Sequence, residues 1–147
     1  MPTERTLLFF KPDLAGDAVR AGEAEADLMR RLDARDLRCV VSRRVEKPPL
    51  FVLKEHYAEH LGKHFYDWLL AYVAAGPIKL FVIEGDGAVQ KCRELAGNTD
   101  GRKDRAEGVD SFRAKWGVDG SINAIHASAD VEAAERELRI WKSLLGG

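Results

Sequence analysis

The chain has 147 residues, enough for one domain with a real core, and 46% of them are hydrophobic against 32% charged, the ordinary balance of a soluble globular protein. A formal net charge of -1 excludes an overall basic field of the kind that draws sequence-specific nucleic acid partners or an anionic membrane, so any anion must be held by a local cluster. No apolar run approaches bilayer-spanning length, Met1–Arg5 lead into a short apolar run rather than a signal core, and Cys39 and Cys92 sit in separate apolar runs, so free thiols and a reducing, cytoplasmic setting are expected.

Thr6–Phe10 (TLLFF) is a short apolar run stopped by Lys11-Pro12-Asp13, which reads as a buried strand ending at Pro12. Leu14–Gly22, rich in Ala and Gly, reads as a loop. From Glu23 to Arg35, Ala24, Leu28 and Leu32, with Met29, form one apolar stripe among charges, the mark of an amphipathic helix. Leu37–Val45 is a second strand, and Pro48-Pro49 breaks the chain. Leu53–His60 (LKEHYAEH) and Phe65–Ala74 (FYDWLLAYVA) are two short helices parted at Gly62, followed by a turn at Gly76-Pro77. Ile78–Ile83 is a third strand and Gly87–Ala96 a helix. Gly97–Gly120 is long, polar and Gly-rich, a loop of the functional or disordered kind.

The fourth strand lies in Ser121–Ala129, where Ile122, Ala124 and His126 alternate with Asn123 and Ile125. Asp130 then stands as the N-cap of a last helix. This order predicts an α+β fold over 1–147, a single-domain ferredoxin-like βαββαβ sandwich. It has an antiparallel sheet with helices on one face and a trailing C-terminal helix. Fold at this level names no function.

His126 arrives at a strand end beside small Ala127, Ser128 and Ala129, where an imidazole nitrogen is accessible. Taken singly, such a histidine reads more readily as a surface or satisfied residue than as a reactive one. In the last helix Val131, Ala134, Leu138, Trp141 and Leu145 make one stripe, with Glu137 at its margin. A carboxylate there is costly to bury without a partner, and His126 is a candidate. A carboxylate on one ring nitrogen fixes the tautomer and leaves the other as a nucleophile, while the bland reading of Glu137 is a solvated flank charge. Lys11, Arg93 and Arg113 stand near element ends and would each pass alone as solvated charges. There is no G-x-x-x-x-G-K-[ST] phosphate loop, and His56 and His60, though four apart, lack the H-E-x-x-H order, so no metal-ligating side chains are expected.

Lys11-Pro12-Asp13, Lys54-Glu55-His56-Tyr57, Gly76-Pro77, Glu84-Gly85 and Asn123-Ala124-Ile125-His126-Ala127-Ser128, with Glu137 downstream, occur in an order and spacing that resembles nucleoside diphosphate kinases. The resemblance runs from about Arg5 to Trp141. It implies transfer of the γ-phosphate of a nucleoside triphosphate to a nucleoside diphosphate through phospho-His126, by a ping-pong mechanism with low base specificity. It further implies that Glu137 orients His126, that Ser128 supports Glu137, and that Tyr57 lies near the γ-phosphate. By the same resemblance Lys11 and Asn123 contact the sugar, Lys11 also meets the transferring phosphate, and Arg93, Thr99 and Arg113 hold the β- and γ-phosphates. Phe65 would stack on the base with Leu69 beside it. Mg²⁺ would come on the nucleotide phosphates with mostly water ligands. A homo-oligomer, a tetramer or hexamer built from dimers, is also implied.

The charges suit that chemistry, because fixed cations lower the barrier to moving a phosphoryl group and a π-face stacks on any base. The sequence departs from the family's pattern at the loops 14–22 and 100–112, which are longer, and at Asp100-Gly101, Lys115 and Ala129. Gly120 stands where an apolar residue often closes over the base, so a one-sided base clamp is expected. The alternative is a nucleotide-binding regulatory domain of the same fold with slow or lost transfer, though a pure binder would have no need of His126; a phosphocarrier for proteins would have no need of Lys11, Asn123 or Phe65.

Overall fold

Leu7, Leu8, Phe9 and Phe10 are each completely buried in the first strand, β1 (Thr3–Phe10). Side chains alternate across a strand, so burial of four in succession requires cover on both faces. The structure, a computed structural model, describes residues 2–146. In it Leu8 and Phe10 join Phe81, Ile83 and Ile125 in one core, while Leu7 and Phe9 join Ile78 and Leu80 in another.

The chain runs from β1 through α1 (Pro12–Ala15) and α2 (Ala18–Asp33) to β2 (Arg38–Val45). It continues through α3 (Leu50–His56), a 3-10 turn at Ala58–His60 and α4 (Tyr66–Ala74) to β3 (Ile78–Asp86). Then come α5 (Ala88–Ala96), α6 (Gly101–Ala106), α7 (Phe112–Trp116), β4 (Ile125–Ala127), α8 (Val131–Ile140) and a last 3-10 turn at Lys142–Leu145. The sheet order is β2-β3-β1-β4 with every pair antiparallel, the expected ferredoxin-like arrangement. The expected helical layer is α2 and α5, whose Leu28, Leu32, Cys92 and Leu95 lie in the first core. Helices are not confined to the one face expected: the helical pair α3 and α4, with Trp141 after α8, covers the second face through Val52, Leu53, Leu70 and Val73, because Leu7 and Phe9 of β1 are apolar there too.

Several boundaries differ from the sequence reading, each for a local reason. Leu14–Gly22 is not a loop: Pro12 opens α1, Gly16 closes it, and the Asp17 side chain accepts from the amides of Val19 and Arg20 to start α2. The helix expected over Leu53–His60 starts at Leu50 and ends at His56, and Tyr57 at φ -99°, ψ 19° breaks it. Gly97–Gly120 is ordered by two capped turns of helix, with Asp100 accepting from Arg102 N–H and Ser111 from Ala114 N–H. Buried Asp104 ties it inward by accepting from Asn98 N–H at 2.8 Å and Ser111 Oγ at 2.7 Å. Gly97 is required there: its φ is +85°, and a Cβ would lie 2.4 Å from Asp104 and Ser111. Finally, β4 is three residues long rather than the whole of Ser121–Ala129. Ala124 has φ +72° and the Ile125 N–H reaches back to Asn123 C=O at 2.8 Å, a γ-turn that cannot pair as strand.

Candidate active site

Strand register decides what His126 faces. It pairs with Phe9 across β1 and β4, so both side chains emerge on the α3–α8 side of the sheet, where their rings stack with centroids 4.8 Å apart. Ile125 goes to the opposite core. The γ-turn at Ala124 lets the chain enter the strand from the side, and Lys11 N–H donates to Ala124 C=O at 2.8 Å, clamping the end of β1 to the start of β4. Strained backbone of this kind is maintained where the surroundings over-determine it.

Glu137, from the middle of α8, is 4% exposed, so it is a buried group and not a flank charge. Its Oε1 bonds His126 Nε2 at 2.7 Å and accepts from Ser128 Oγ at 2.7 Å. Burial pushes the Glu137 carboxyl up, but the hydrogen bonds from His126 and Ser128 outweigh it and the net shift is down, so the group is a carboxylate at neutral pH. With Nε2 held as a donor, Nδ1 is the ring nitrogen left with a lone pair.

Beside His126 opens a cleft of about 470 Å³ whose lining includes Lys11, Tyr57, Phe65, Leu69, Thr99 and Asn123. Lys11 Nζ donates to Asn123 Oδ1 at 2.8 Å, and Asn123 Nδ2 donates to Thr99 C=O at 3.1 Å, joining the end of β1, the loop before α6 and the turn before β4. Burial and the charge of Arg113 lower the Lys11 ammonium to about 8. Arg93, Thr99 and Arg113 line an adjoining hollow of about 150 Å³ with Ala127 and Ala129. Arg113 is fixed by donating to Gly97 C=O at 2.9 Å and Ile125 C=O at 2.8 Å, and burial together with Arg93 lowers it to about 10, still a cation at neutral pH. Arg113 Nε and Tyr57 Oη are buried with no protein partner among the described residues. Burial also raises the Tyr57 phenol, so it is a neutral donor. Two buried donors without a partner, one on a residue of each of two adjoining hollows, fit a ligand rich in acceptor oxygens.

All the residues expected at the site therefore converge. Four others stand at this site, of which the sequence reading weighed only His56 and His60, as a metal pair it set aside. His56 does not pair with His60 on a helix face. It is buried beneath His126, ring centroids 4.5 Å apart, and its Nδ1 accepts from Trp141 Nε1 at 3.0 Å. Burial and the neighbouring His126 hold its pKa well below the usual histidine value, so it is neutral. His60 instead lines the cleft, as do His64 and Trp68. His60 ends the 3-10 turn, His64 lies in the connection before α4 and Trp68 lies on α4, so their spacing gave no signal, because only the tertiary fold turns those positions toward the cleft. Among the described residues no carboxylate lines either hollow, and Glu137 is already committed to His126 and Ser128, so a divalent ion would have to come with the ligand. An ion carried on polyphosphate oxygens fits this donor set.

No helix of the described residues is long and apolar enough to cross a membrane. A family model for nucleoside diphosphate kinase matches residues 4–143. A nucleoside diphosphate kinase of Saccharopolyspora erythraea is 36% identical over 141 residues, covering 95% of this chain and 96% of that one. The crystal structure of the Aquifex aeolicus nucleoside diphosphate kinase superposes with a TM-score of 0.83 at 29% identity, covering 95% and 94% of the two chains. The solved structure of a halophilic nucleoside diphosphate kinase from Halobacterium salinarum, in complex with CDP, superposes with a TM-score of 0.79 at 32% identity, covering 95% and 88%.

Proposed function

The chain belongs to the nucleoside diphosphate kinase family, and from that premise we propose how its own residues move phosphate between nucleotides. His126 Nδ1 attacks the γ-phosphorus of a nucleoside triphosphate. The bond from that phosphorus to the bridging oxygen breaks, the diphosphate leaves with the electron pair, and phospho-His126 remains. A second diphosphate then attacks with a terminal β-phosphate oxygen, the N–P bond breaks, and His126 is regenerated. The observation that carries this reading is the single Glu137 oxygen shared by His126 Nε2 and Ser128 Oγ, which holds the ring in one tautomer with Nδ1 free.

The other roles follow from position and charge. Glu137 steadies the positive charge that grows on the ring as the N–P bond forms, and Ser128 fixes that carboxylate. Arg93, Arg113 and Thr99 hold the phosphates, Arg113 offering a planar fork that is already immobilised. Tyr57 Oη donates to the transferring group, and Lys11 with Asn123 holds the sugar and the phosphate end. Phe65 and Leu69 receive the base without reading its edges, which supports low base specificity. The divalent ion, Mg²⁺ in this proposal, neutralises charge on the polyphosphate. The chain acts as a homo-oligomer, a tetramer or hexamer of dimers; β2 is an open edge strand, and Leu50 and Phe51 at the start of α3 are exposed.

The test is labelling. Incubation with ATP radiolabelled at the γ-phosphate is expected to give a protein label stable to alkali, lost in acid and discharged by any nucleoside diphosphate. Label persisting in His126→Ala would overturn the assignment.

A further inference from the structure

Trp68 lies in the part of the cleft that phosphate chemistry does not use. It follows Phe65 by three residues and precedes Tyr72 by four, so Phe65, Trp68, Leu69 and Tyr72 run along one side of α4. Phe65, Trp68 and Leu69 all line the cleft, together with Gly120 and Ser121. The indole stacks on the Tyr72 ring, centroids 5.0 Å apart and planes 12° from parallel. Tyr72 is itself tied down: its hydroxyl donates to Asp13 Oδ1 and accepts from Asp13 N–H at 2.9 Å. One face of the indole is therefore fixed against an anchored ring, yet Trp68 remains 46% exposed. A rigid aromatic surface held open at a cleft loses little side-chain entropy when something stacks on it. Gly120 brings no side chain to the same region, and a Cβ placed there would meet Asp100 at 3.6 Å.

We propose that Trp68 contacts the nucleobase, forming with Phe65 a two-residue aromatic surface that supplies the contact area Gly120 lacks. This inference rests on the reading of the cleft as a nucleotide site. It makes Trp68 a binding determinant of this chain, and the expected one-sided clamp becomes a platform two rings wide.

The chain's own fluorescence provides the test. Of its three tryptophans, Trp116 and Trp141 are buried, at 8% and 0% exposure, so acrylamide quenching reports mainly on Trp68. ADP is expected to protect the fluorescence, whereas inorganic pyrophosphate, which lacks a base, is not. By calorimetry Trp68→Ala should bind ADP about five- to tenfold more weakly, with pyrophosphate affinity retained, and Trp68→Phe should recover most of the loss. ADP binding that leaves quenching unchanged, together with parental ADP affinity in Trp68→Ala, would overturn the inference. If the variants do not fold, the quenching of the unaltered protein decides alone. Absence of any ADP binding to the unaltered protein would instead overturn the nucleotide reading, and this inference with it.

Discussion

Replacing Glu137 by Gln removes a charge while leaving an oxygen where Oε1 stands. Both hydrogen bonds at that oxygen, from His126 and Ser128, can persist in neutral form at the 2.7 Å now seen. What is lost is the attraction between a carboxylate and an imidazole ring turning cationic as the N–P bond forms. A full pair of charges about 4 Å apart at an effective dielectric of about 20 is worth roughly 4 kcal/mol. With about half a charge developed in the transition state, roughly 2 kcal/mol is at stake, and the amide dipole returns part of it. The expected loss is therefore about 1–2 kcal/mol, or roughly five- to thirtyfold in the rate of phosphorylation. Rapid-quench measurement of label uptake from ATP gives that rate directly, and calorimetry with ADP should show affinity almost unchanged. A variant as fast as the parent would mean that Glu137 only closes a gap in the core, and the argument from the shared oxygen would fail.

Lys11, lowered to about 8 by burial and Arg113, should lose its proton above that pH in the free protein, so nucleotide affinity should fall as pH rises through about 8. An anion restores the ammonium, so binding at higher pH should take up a proton, visible in calorimetry with buffers of different ionisation enthalpy and absent in Lys11→Met. The same shift makes the free protein more stable as pH climbs from about 8 toward 10.5, because the unfolded chain keeps that proton longer. Gly120→Val should tighten ADP binding several-fold in the His126→Ala background, the contact of a Val-sized side chain being worth on the order of 1 kcal/mol. The structure accepts that side chain, since Gly120 is not in a left-handed conformation and a Cβ meets nothing closer than 3.6 Å, so weaker binding would sink the clamp argument. Light scattering at micromolar concentration should give a mass several times that of the chain, and a stable monomer would refute the proposed assembly.

The fold was legible because its main signals are local. The run Leu7–Phe10 announces a strand buried on both faces, and the stripe Ala24, Leu28, Leu32 announces α2. The starts of α2, α6 and α7 were also written in the sequence, as Asp17, Asp100 and Ser111, but Gly and Ala around them obscured the caps. The pairing of His126 with Glu137 could be reached from a stripe margin and a strand end. His56 could not: its neutrality comes from burial and from His126, and its ring is held by the indole of Trp141, 85 residues away, which donates to it. Trp68 was hidden for a similar reason, since within α4 it looks like any apolar residue of a helix.

The bond between Lys11 and Asn123 spans 112 residues, and the nucleophile and its carboxylate lie still nearer the chain's end. Contacts of such separation form late, after the loops between them have closed. A chain emerging from the ribosome therefore has its aromatic cleft wall and Arg93 available well before His126 and Glu137 follow. Catalysis is then possible only once both ends of the sequence have met, so recovered activity in a refolding experiment is a report on the whole chain, and a fragment ending before α8 is predicted to be silent however well it binds a nucleotide.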